Sequence, residues 1–66
     1  MISEKEFIYY IENSCVAYDQ VENKKDLEAF KYINDLGIAL YFYYKDDKGR
    51  YKHYDDYDIF MSDLNS

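Results

Sequence analysis

Sixty-six residues with no Pro, two Gly and 48% hydrophobic positions exclude a linker, a collagen-like repeat and an ordinary disordered tail. A chain this short buries only about 60% of the surface its unfolded form exposes, which points to a single small domain over 1–66. The net charge of −6 disfavours direct nucleic-acid binding, whose affinity comes largely from neutralising phosphates.

The one cysteine, Cys15, cannot form an internal disulfide, which argues against a stapled secreted miniprotein. The longest apolar runs, such as 38–44, fall far short of a membrane span. With no charged-then-apolar leader, a cytoplasmic protein is expected. Lys, Asn, Ile and Tyr fill 27 positions, ten of them Tyr. Their A/T-rich codons suggest a low-GC bacterium or its phage, in which case the compartment is the host cytoplasm. Charge is uneven: −4 over 1–23, +2 over 24–52 and −4 over 53–66.

In chain order, Ser3 with Glu6 forms a capping box, flanked by Ile2 and Phe7 at hydrophobic-staple spacing. Phe7, Ile8, Ile11, Cys15 and Tyr18 continue as an apolar stripe and predict a helix over 4–19. A second helix is expected from Asn23, with Leu27, Phe30, Ile33 and Leu36 at three-residue steps and Gly37 as its terminator. The period then drops to two. Ile38, Leu40, Phe42 and Tyr44 would share one strand face, and Ala39, Tyr41, Tyr43 and Lys45 the other. Asp46, Asp47, Lys48 and Gly49 read as a turn, and 50–54 return antiparallel. Residues 59–64 close the core as a third short strand or a helical turn. The expected fold is α+β, two helices followed by a hairpin (α-α-β-β), with a free edge on strand 38–45.

One His, one Cys and no Gly-rich phosphate loop argue against an enzyme. Cys15 reads as a small core residue and His53 as a solvated strand residue. Asp55, Asp56 and Asp58 with Asp46 and Asp47 lack the alternating ligands of a Ca²⁺ loop. No zinc shell can be built from one Cys and one His, so neither metal nor cofactor is expected. Residues 41–54 interleave tyrosines with Lys45, Lys48, Arg50 and Lys52, as single-strand binders do, but the surrounding acids oppose that use.

More tyrosines are present than the core can hold. Tyr41, Tyr43, Tyr51, Tyr54 and Tyr57 are therefore candidate partner-binding residues, since exposed Tyr offers large contact area at low entropy cost. The carboxylates of Asp46, Asp47, Asp55, Asp56 and Asp58 would mimic phosphates and steer toward a basic groove. In size, charge and Tyr/Asp usage the chain resembles the small acidic inhibitors of phages: anti-CRISPR proteins, restriction inhibitors and uracil-DNA glycosylase inhibitors. The resemblance implies a DNA-mimicking inhibitor that occludes the nucleic-acid site of a defence or repair enzyme. The alternative is a homodimeric interaction module, such as an antitoxin, an immunity protein or a regulatory adaptor, pairing through strand 38–45 or the Tyr face.

Overall fold

Helix α1 runs Glu4–Ser14 in the computed structural model, which describes residues 1–66. Ser3 caps it as expected: its Oγ accepts from the Glu6 N–H at 3.2 Å and donates to Glu6 Oε1 at 3.1 Å. The helix ends five residues earlier than its apolar stripe suggests. Cys15 is already extended, and Ala17–Gln20 forms strand β1.

The expected second helix is absent. Its span holds a loop, strand β2 (Ala29–Ile33) and a turn, so the order is α-β-β-β-β-α and not α-α-β-β. Leu27, Phe30, Ile33 and Leu36 recur every three residues. At about 100° per residue their directions drift by about 60° per step, so the four spread over half a helix circumference. In the strand, Phe30 and Ile33 lie on opposite faces, and Leu36 is 77% exposed. Asp26 adopts φ 55, a left-handed conformation no helix accommodates.

Strands β3 (Ala39–Lys45) and β4 (Tyr51–Tyr54) are the expected hairpin. The sheet is antiparallel in the order β1-β2-β3-β4. β3 is thus paired on both sides, and the free edge expected on 38–45 does not exist. A register shift at Tyr32/Ile33 sets Ala39 opposite Ile33. This bulge breaks the alternation, and Ala39 packs against the same core cluster as Phe42 and Tyr44.

Three turns of one design join the strands. Asn34 Oδ1 accepts from the N–H of Leu36 and Ile38. Asp46 Oδ1 accepts from Lys48 and Arg50 in the same way. Asn23 Oδ1 accepts from Leu27, and its Nδ2 donates to the Leu27 carbonyl. The fourth residue of each turn is left-handed: Asp26 at φ 55, Gly37 and Gly49 at φ 81. Glycine suits that position and aspartate is strained there. Asp26→Gly is therefore expected to raise stability by about 0.5 kcal/mol, and Gly49→Ala to lower it by about 1–2 kcal/mol. Thermal melts will read both, at about 4–8 °C per kcal/mol for a domain of this size.

The chain leaves the sheet after Tyr54 and turns directly into a helix. Asp56 caps helix α2 (Tyr57–Leu64), accepting from the Ile59 N–H at 3.0 Å, so 59–64 are helical. Helix α2 covers one sheet face, where Ala29, Phe42, Tyr44, Tyr54, Phe60 and Leu64 form the main core. Helix α1 lies on the other face, anchored by buried Phe7 against Tyr32, Tyr43 and His53. His53 is only 8% exposed, not solvated: its position on β4 lies directly under Phe7. No helix is long and apolar enough to cross a membrane.

Candidate functional site

Because cross-strand partners share a face, the register aligns aromatic rings from all four strands beside α1. Tyr18 of β1 opposes Tyr32 and Gln20 opposes Phe30; Phe30 opposes Tyr43, and Tyr43 opposes His53. Ring centroids run Tyr18 to Phe30 at 5.7 Å, Phe30 to Tyr43 at 5.6 Å and Tyr43 to Tyr51 at 5.7 Å. The Phe30 and Tyr43 planes are stacked, 24° apart. Helix α1 covers only part of this ladder, leaving Tyr18 61% and Tyr51 50% exposed. Beside the helix a groove of about 290 Å³ is lined by Glu4, Phe7, Ile8, Tyr43, Tyr51 and His53, among others.

Three phenols of the face, those of Tyr32, Tyr41 and Tyr43, are held above their ordinary value. Burial pushes the Tyr43 phenol up to about 12, helped by the adjacent Tyr32 hydroxyl and by Glu28. Burial likewise raises Tyr32, and it raises Tyr41 together with Tyr10, which stacks on it at 5.3 Å. Burial lowers the His53 pKa, partly offset by Glu4. The face thus offers apolar rings with hydroxyl tips, Glu4 and Glu28 close by, and Lys45 held over the Tyr51 ring at 5.5 Å.

The ten residues singled out from the sequence do not gather in one place. Tyr41, Tyr43 and Tyr51 lie on the α1 face. Tyr54 lies on the other and is fully buried, with its hydroxyl donating to Asp63 Oδ2 at 2.7 Å, so it is core and cannot meet a partner. Tyr57 is exposed on α2, its ring 5.7 Å from Phe42. Asp46 is committed to its turn and pairs with Arg50 Nε at 3.0 Å; these bonds hold its carboxyl below the usual range. Asp56 is a helix cap and Asp58 lies in the first turn of α2. Asp47 and Asp55 are exposed. Asp46 and Asp47 sit at one end of β4, and Asp55, Asp56 and Asp58 at the other, so no single carboxylate ridge forms.

Tyr18, Phe30 and Tyr32 are not legible as members of this face from the sequence, because 17–19 and 29–33 fit a helical pattern; Glu4 and Glu28 carry no sequence signal that sets them apart from the other acids. The alternation of Phe30 and Tyr32 was the available signal. His53 packs beside Phe7 in the first part of α1, whereas Cys15 follows its last turn, so the two do not meet. No group of three or more His, Cys, Asp or Glu is arranged to hold a metal ion. Comparison with protein-family models, with curated proteins and with solved structures finds no match to this chain.

Proposed function

We propose that the chain is an acidic protein-binding inhibitor, which docks its open aromatic face on the basic nucleic-acid-binding surface of another protein. The observation that carries the reading is a four-strand aromatic ladder that α1 covers only in part, leaving Tyr18 and Tyr51 exposed, in a chain of net charge −6. Aromatic rings with polar tips are the preferred anchors of protein interfaces. The surplus of carboxylates favours a cationic partner, steering the encounter while the rings slow dissociation. The likeness to phage inhibitors in size and charge points to a defence or repair enzyme as the target.

The test is displacement of a fluorescent oligonucleotide from a panel of purified basic nucleases and DNA-repair enzymes. The chain is expected to release the oligonucleotide from at least one of them. Tyr51→Ala and Ile8→Ser, both at exposed positions of the groove, should each speed dissociation by about tenfold, the loss of roughly 1.4 kcal/mol of anchoring. Failure to displace DNA from any member of the panel would overturn the reading.

A further inference from the structure

The sheet has two edges, and one of them is bridged by the chain itself. The outer edge of β4 is met by Ile2, whose N–H donates to the His53 carbonyl at 2.9 Å. The outer edge of β1 meets nothing: all four of its residues are exposed, and it carries neither Pro nor Lys, two residues that blunt such edges.

Register identifies the free backbone groups. The Val21 N–H donates to the Ala29 carbonyl at 2.8 Å, and Ala17, Tyr18, Asp19 and Gln20 oppose Ile33, Tyr32, Lys31 and Phe30. In antiparallel pairing the bonded positions alternate. Ala17, Asp19 and Val21 therefore direct their N–H and C=O toward β2, while Tyr18 and Gln20 direct theirs outward.

We propose that β1 pairs antiparallel with β1 of a second copy about a two-fold axis through Tyr18, making one eight-stranded sheet. In this register Tyr18 faces Tyr18 of the second copy, each giving its N–H and accepting at its C=O. Ala17 then opposes Asp19, so no carboxylates meet, whereas a register centred on Asp19 would set two like charges directly opposite. A two-fold perpendicular to the sheet keeps both aromatic faces on the same side. The ladder from Tyr51 through Tyr43 and Phe30 to Tyr18 then continues into its copy. A recess of about 230 Å³ lined by Ile11, Cys15, Val16 and Tyr32, among others, lies beside the junction and adds apolar surface to it. With Ile2 bridging each β4 edge at His53, the β1 edge is the longest left unpaired, and two-fold pairing through it closes at two copies.

The pairing does not depend on the target proposed above and is tested without one. Sedimentation velocity from about 10 µM to about 1 mM should show a monomer–dimer equilibrium. Because each copy carries −6, association should strengthen as salt rises from about 0.05 to about 0.5 M, the opposite of binding to a basic protein. Tyr18→Pro removes an outward donor while sparing the bonds to β2, and should weaken the dimer at least about tenfold. Amide exchange of the unaltered chain gives an independent readout: the Tyr18 N–H should slow as concentration rises. A monomer throughout, exchange at Tyr18 independent of concentration, or a dimer unaffected in a folded Tyr18→Pro chain would each overturn the proposal.

Discussion

Phe60→Ala is expected to leave the chain largely unfolded at 25 °C. The Phe60 ring is fully buried and stacks on Phe42 at 5.0 Å, with Tyr54 at 5.6 Å and Tyr44 at 6.3 Å. It is the main side chain through which α2 seals its sheet face. Removing a buried Phe costs about 3–5 kcal/mol, the lost transfer free energy plus the cavity left behind. A core of this size rarely supplies more than roughly 3–5 kcal/mol in all, so the loss consumes most of the stability. Phe60→Leu keeps most of the volume and should cost less than about 1.5 kcal/mol. Circular dichroism melts of the two variants check this. A cooperative melt for Phe60→Ala only a few degrees below the unaltered chain would show that α2 contributes little.

Tyr54 separates a core role from an interface role. Tyr54→Ala should destabilise by about 3–5 kcal/mol, as for any fully buried aromatic. Tyr54→Phe keeps the ring and loses only the hydrogen bond to Asp63, at a cost of about 1.5–3 kcal/mol for a charged acceptor. Burial and the bond to Asp63 raise the Tyr54 pKa, and burial raises that of Tyr43 to about 12. Both phenols ionise more readily in the unfolded chain, where the usual value is about 10. Their contribution is therefore complete below pH of about 10 and is lost as pH rises toward the folded values. The chain should unfold cooperatively in alkali, with tyrosinate absorbance and loss of ellipticity rising together. The Tyr54→Phe chain should show a shallower alkaline loss of stability. All ten phenols titrating near pH 10 with the fold intact would contradict this account.

The candidate face was half legible. Alternation along 39–45 placed Tyr41 and Tyr43 together, and the hairpin returned Tyr51 beside Tyr43. The same parity argues against grouping Tyr54 with Tyr51, since residues three apart on a strand face opposite ways. Tyr18, Phe30 and Tyr32 are hidden at the sequence level because the apolar spacing of their segments fits a helix as well as a strand. The aspartates misled for a different reason. Asp and Asn close turns and cap helices through their own side chains, and here Asp46 and Asp56 do both before any partner is considered.

What the sequence determined by itself is local. The Ser3–Glu6 cap starts α1, Asp46 to Gly49 turns β3 into β4, and the period-two run of 41–45 makes a strand, because each depends on groups a few residues apart. The turn at 34–37 was equally readable, as Asn34, Asp35, Leu36 and Gly37 repeat the Asx-Asp-x-Gly pattern of 46–49. Only the tertiary structure decided the fate of 17–20 and 29–33. Ala17 to Gln20 bury nothing, and their stripe mates on α1 made a helical reading just as consistent. β3 settles the competition. Its two aromatic faces cannot both be covered by a lone hairpin, so β2 pairs along its open side, β1 pairs on β2, and one helix packs on each face. Those contacts join residues far apart in the chain, and the one local signal, the alternation of Phe30 and Tyr32, is too short to encode them by itself.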